Sequence, residues 1–126
     1  MGNNPFHVVT IELDGAVTER TWDAPNTEAR GTLLRGAVGG YFDVVALSRN
    51  LDMWVNDEGM YQFPVNVVAT GVAQRFGLTR QPYWGPVVFT GGVGGGGETR
   101  SLGALMRKAV VAHALQVKGL GSLGAR

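Results

Sequence analysis

Phe6-His7-Val8-Val9-Thr10-Ile11-Glu12-Leu13-Asp14-Gly15-Ala16-Val17-Thr18-Glu19-Arg20-Thr21-Trp22 is the stretch that decides the fold class. β-branched residues and alternation on both sides of Asp14-Gly15 predict two antiparallel strands, and the dipeptide suits a two-residue type I′ turn. Asp23 to Asn26, with Pro25, reads as a loop. Thr27-Glu28-Ala29-Arg30 opens a short helix through Leu33, Leu34 and Ala37, and Gly39 stops it. Tyr41 to Leu47 is a buried strand, Ser48-Arg49-Asn50 turns the chain, and Leu51 to Val55 is its antiparallel neighbour.

Downstream, Asn56-Asp57-Glu58-Gly59 is a turn, because Asn and Asp side chains bond nearby backbone amides and glycine accepts positive φ. Phe63-Pro64-Val65 is extended. Asn66 caps a helix over Val67 to Phe76, with Val68, Val72 and Phe76 facing inward and Gly77 ending it. The aromatic loop Pro82-Tyr83-Trp84-Gly85-Pro86 leads into a last strand, Val87 to Thr90. Residues 91–97 are six glycines and one valine; this composition predicts a flexible connector spanning ~15 Å. Ser101 is the expected N-cap of a final helix through Leu102, Leu105, Met106, Ala109, Val110, Ala112, Ala114 and Val117.

The expectation is therefore a small α+β protein, with a mostly antiparallel sheet, two to three packed helices and a glycine-tethered C-terminal helix. Its parts are a core domain at 1–90, a flexible linker at 91–100, a helix at 101–118 and a frayed tail at 119–126. A chain of 126 residues and 13.4 kDa has room for one core. With no cysteine it is held by packing, without disulfides or thiolate metal sites. No apolar run is long enough for a transmembrane helix and no secretory leader is legible, so the expected location is the cytoplasm.

The net charge of +1 conceals a divided chain. Residues 1–66 hold nine acids and four arginines (net −5), and residues 67–126 hold one acid and seven bases (net +6). Such asymmetry suits head-to-tail self-association or an acidic partner, or is neutralised within the fold.

The set Val38-Gly39-Gly40-Tyr41-Phe42-Asp43-Val44-Val45, Met53-Trp54-Val55-Asn56-Asp57-Glu58-Gly59, Phe63-Pro64-Val65-Asn66 and Gly85-Pro86-Val87-Val88-Phe89-Thr90-Gly91 resembles a family of small bacteriophage and mobile-element proteins, domain of unknown function 3846. The resemblance spans about residues 6–92 and leaves out the glycine tract and the terminal helix. Asp43 stands where many relatives carry Glu, which shortens any carboxylate contact there. The resemblance implies a small α+β fold and an intracellular phage accessory role, with no chemistry to carry across.

Chemical motifs are few. Gly92-x-Gly94-x-x-Gly97 follows a strand and precedes a helix, like a dinucleotide fingerprint. No later acid exists to hold a ribose, no second strand follows, and Glu98 sits where a pyrophosphate belongs. As a Walker loop it fails too, because Glu98-Thr99 replaces the required Lys-Ser/Thr. His7 and His113 lack metal-ligand spacing. Ser48, Ser101 and Ser122 have no local base, and His113 reads as a helix-surface residue near a basic patch. The adjacent acids Asp57 and Glu58 read as a solvated turn. Arg75, Arg80, Tyr83, Trp84, Arg100, Arg107 and Lys108 give ingredients of a nucleic-acid surface, possible but not favoured at this modest basic density.

The sequence thus points to binding, with no catalytic set, no metal and no cofactor. The first reading is a non-enzymatic phage accessory protein that engages a host protein or itself. In that reading Leu105, Arg107, Lys108 and Val110 of the terminal helix are its interaction face. A second reading is a nucleotide-signal pocket walled by Asn56, Glu58, Asn66, Arg80, Tyr83 and Trp84. A third is a structural virion component.

Overall fold

The computed structural model describes residues 4–124, and in it the α+β expectation holds. The outermost residues of the expected core domain and tail, 1–3 and 125–126, lie outside the described residues. The elements are β1 (Pro5–Ile11), β2 (Val17–Asp23), α1 (Thr27–Val38), β3 (Phe42–Ser48), β4 (Leu51–Asn56), α2 (Gly59–Gln62), α3 (Val67–Arg75), β5 (Val87–Thr90) and α4 (Ala104–Gly124). One five-stranded sheet has the order β2-β1-β5-β4-β3, and every neighbouring pair is antiparallel. The last strand in sequence sits in the middle, joining two hairpins. Its run Val87-Val88-Phe89-Thr90 is buried throughout, as a strand covered on both faces requires.

Alternation divides the core into two layers. Phe6, Val8, Trp54 and Val88 meet Leu34 and Val38 of α1 on one face. Val9, Ile11, Met53, Val87 and Phe89 meet Val68, Val72, Val110 and Ala114 of α3 and α4 on the other. Val68 and Val72 are buried and Phe76 half-buried, in keeping with the expected inward face.

The first hairpin forms, but by a different turn. Gly15 N donates to Glu12 O (2.9 Å), Glu12 N donates to Ala16 O (2.9 Å), and Gly15 has φ +90°. A type I′ turn needs positive φ at two residues, and none of the described non-glycine residues has it. Leu13-Asp14-Gly15 is therefore a three-residue loop with the glycine in the bulge position. The Asp14 carboxylate accepts from Ala16 N at 2.9 Å.

Helix ends follow local chemistry. Asn26 accepts from Ala29 N at 2.8 Å to start α1, and Gly39, at φ +82°, ends it. Asn66 starts α3 by accepting from Ala69 N at 3.0 Å. α4 differs from expectation at both ends. It begins at Ala104 rather than Ser101 and runs through Gly119 to Gly124, beyond the expected end at 118. Ser101 bonds the sheet: His7 N donates to its hydroxyl at 2.9 Å, the hydroxyl donates to Pro5 O at 3.3 Å, and Leu102 N donates to His7 O at 2.9 Å.

The glycine tract is a packed hairpin, which corrects its reading as a floppy connector. Gly91 N donates to Arg100 O (3.0 Å), Arg100 N to Gly92 O (3.1 Å) and Gly94 N to Glu98 O (2.7 Å). Arg30 of α1 clamps it through Nη1 to Thr99 O at 2.5 Å. Its glycines permit contact: a Cβ on Gly91 would collide with the Ser101 carbonyl, and one on Gly92 with that of Arg49. Backbone groups supply the packing that side-chain composition does not offer.

Candidate functional site

The turn after β4 organises a cleft at one end of the sheet. Buried Asn56 donates from Nδ2 to Val38 O at 3.1 Å, and its Oδ1 accepts from Glu58 N at 2.8 Å, tying the C-terminus of α1 to the turn. Asp57 N donates to Tyr41 O at 3.0 Å. The chain then makes the single turn of α2, which the sequence reading did not anticipate, where Gln62 donates to Glu58 Oε1 at 3.1 Å. Val65 bridges Trp84, Gly85 N donates to Pro64 O (3.1 Å), and Asn66 N donates to Tyr83 O (2.8 Å), so the aromatic loop lies against the turn.

Between them opens a cleft of about 310 Å³. Val45 and Val55 contribute apolar surface, and Tyr61, Tyr83 and Trp84 contribute aromatic surface. Asp43, Asp57 and Glu58 are its charged lining, all three exposed, and no Lys, Arg or His lines it. Tyr61 (83% exposed), Tyr41 (77%) and Met60 (54%) are all uncovered. Among the described residues, no three His, Asp or Glu side chains gather as a metal-holding group. The lining chemistry is that of a cation site: carboxylates attract the charge and aromatic faces stabilise it.

The pocket expected from sequence is partly assembled. Asn56, Glu58, Tyr83 and Trp84 line the cleft. Asn66 does not: it is 1% exposed, and Nδ2 donates to Ile11 O (3.0 Å) and Gly85 O (2.9 Å) while Oδ1 caps α3, so its groups are committed inside the fold. Arg80 is exposed outside the lining, where neighbouring Gln81 contributes instead. Asp43, Met60 and Tyr61 went unrecognised in sequence because strand pairing and the α2 turn bring them there.

The terminal-helix group divides similarly. Leu105 is 84% exposed and Lys108 is exposed. Val110 is fully buried, which removes it from any interaction face because α3 and the sheet already cover it. Arg107 is engaged within the molecule, 3.6 Å from Glu19 and bonded to Leu102 O. His113 is half-buried rather than on the helix surface: its ring stands edge-on to Phe76 at 5.5 Å, and Nδ1 is buried without a hydrogen-bond partner. His7 bonds Thr21 at 2.9 Å.

Two further hollows are wider. One of about 480 Å³ adjoins the start of α4, Arg100 and Gly91-Gly92; one of about 470 Å³ lies beside α1, next to Thr10, Glu12 and Arg20. Asp52, opposite Thr90 in the sheet, is buried, and burial raises its carboxyl above the ordinary value of 3.8. Its neighbour Trp54 donates to Thr90 Oγ1 at 2.8 Å.

Fold and cleft together define a small antiparallel α+β protein with an acidic, aromatic recess at one end of its sheet. Residues 6–112 match the family described as domain of unknown function (DUF3846), and the chain belongs to that family. The match runs beyond the expected 6–92 and takes in the glycine hairpin and the first part of α4. No curated protein and no solved structure matches the chain. No helix among the described residues is long and apolar enough to cross a membrane.

Proposed function

We propose that this chain is a non-enzymatic bacteriophage accessory protein that works in the cytoplasm of the infected host by binding, and that the acidic aromatic cleft recognises a positively charged segment of a protein partner. The observation that carries the reading is the lining itself: three carboxylates, three aromatic rings and no cation around about 310 Å³. A nucleotide or nucleic-acid phosphate entering here meets like charge, whereas a lysine or arginine side chain meets opposite charge and ring faces. Exposed Tyr61 and Met60 in its lining are residue types enriched at protein interfaces.

Calorimetric titration with tetralysine, tetraglutamate and ATP tests this. Saturable binding of tetralysine alone is expected, and a D57K/E58K variant should lose it. Binding of ATP without tetralysine overturns the proposal, as does turnover of a metabolite that stops when one cleft residue is changed.

A further inference from the structure

The same chain carries a complement to the cleft. α4 holds Arg107, Lys108 and Lys118 and no acidic residue. Arg107 is occupied by Glu19. Lys108 is exposed and in no ion pair among the described residues, and Leu105 (84% exposed), Ala112 and Leu115 (55%) are exposed with it. The spacing 105, 108, 112, 115 places all four on one helix face. That face is an apolar stripe with one free cation inside it.

The two surfaces cannot meet within one molecule. α4 packs on β1, β2 and α3, whereas the cleft is built on β3 and β4, and β2 and β3 are the opposite edges of the sheet. Two α4 faces would oppose cation to cation, because the helix has no acid to offer. Cleft to helix, by contrast, sets Asp43, Asp57 and Glu58 against Lys108, and exposed Tyr61 and Met60 against Leu105 and Leu115.

Resting on the cation-site reading of the cleft, we propose that the cleft's partner is a second copy of this chain, whose exposed α4 face docks with Lys108 among Asp43, Asp57 and Glu58. Each copy offers one helix face and one cleft, so copies join cleft to helix, reciprocally in a closed dimer or head-to-tail in rings and filaments. The division of charge along the chain, −5 before residue 67 and +6 from there on, is then the basis of self-assembly.

Sedimentation velocity over a concentration series tests it. Wild-type mass should rise with concentration at ~0.01 M salt and fall back to monomer at ~1 M salt, where the screening length is about 3 Å. K108E and D57K/E58K should each lower self-association by ~10-fold or more. Their mixture should recover association, since one variant keeps its cleft, the other its helix, and the reversed charges at 108 and at 57 and 58 now oppose one another. A monomeric wild type at every salt and concentration overturns the inference, as does D57K/E58K associating like wild type. If tetralysine still binds the monomer, the cation-site reading stands while self-docking falls; if tetralysine fails as well, both fall.

Discussion

Gly59 and Trp84 touch so closely that a Cβ on Gly59 would stand 2.8 Å from the Trp84 carbonyl oxygen and 3.3 Å from its Cβ. This contact seats α2 on the aromatic loop and so sets the width of the cleft. G59A should destabilise the fold by about 1–3 kcal/mol, the usual cost of overpacking. It should also weaken tetralysine binding more than a substitution on the far side of α2. Thermal unfolding and titration of the same variant check both.

Asn66 separates a structural role from a ligand-binding one. Its amide holds Ile11 O, Gly85 O and Ala69 N at once, joining β1, the aromatic loop and α3. N66A should cost about 2–3 kcal/mol through the lost cap and the stranded buried carbonyls. Surviving folded N66A should keep the wild-type affinity for tetralysine.

The glycine hairpin predicts a sharp positional contrast. G91A drives a methyl into the Ser101 carbonyl and should destabilise by about 1–3 kcal/mol or more. G95A meets nothing within 4 Å and should stay within ~0.5 kcal/mol of wild type. A flexible linker would tolerate both equally, so the melting temperatures of the pair decide.

Asp52 makes stability depend on pH. Burial raises its folded value above 3.8, so the penalty for ionising it in the fold is absent while it is protonated in both states. As pH climbs through that raised value the unfolded chain ionises more readily than the folded one, and stability is lost. D52N should therefore melt higher than wild type at neutral pH, with the gap closing as the pH drops toward about 3.

What the sequence made legible was local. Gly39 and Asn66 act at helix ends through their own side chain or φ, and the alternating strands on either side of Asp14-Gly15 pair as their pattern demands. What it concealed was tertiary. Ser101 looks like a cap, yet its hydroxyl is claimed by β1, a partner 94 residues away. Seven glycine-tract positions look unpackable because their contacts run through backbone, which composition does not register. In the cleft, Asn56, Glu58, Tyr83 and Trp84 were visible as polar and aromatic residues near strand ends, while Asp43 joins them only through the pairing of Asp43 with Val55.

We propose the cleft between the 56–62 turn and the aromatic loop as the place where this protein recognises positive charge. Amide chemical-shift mapping during titration with tetralysine tests it most directly. Shifts concentrated at Asp43, Asp57 to Tyr61 and Gln81 to Trp84 are expected, and they should be lost in D57K/E58K. Shifts centred on Arg100 to Met106, or none at saturating peptide, would contradict it.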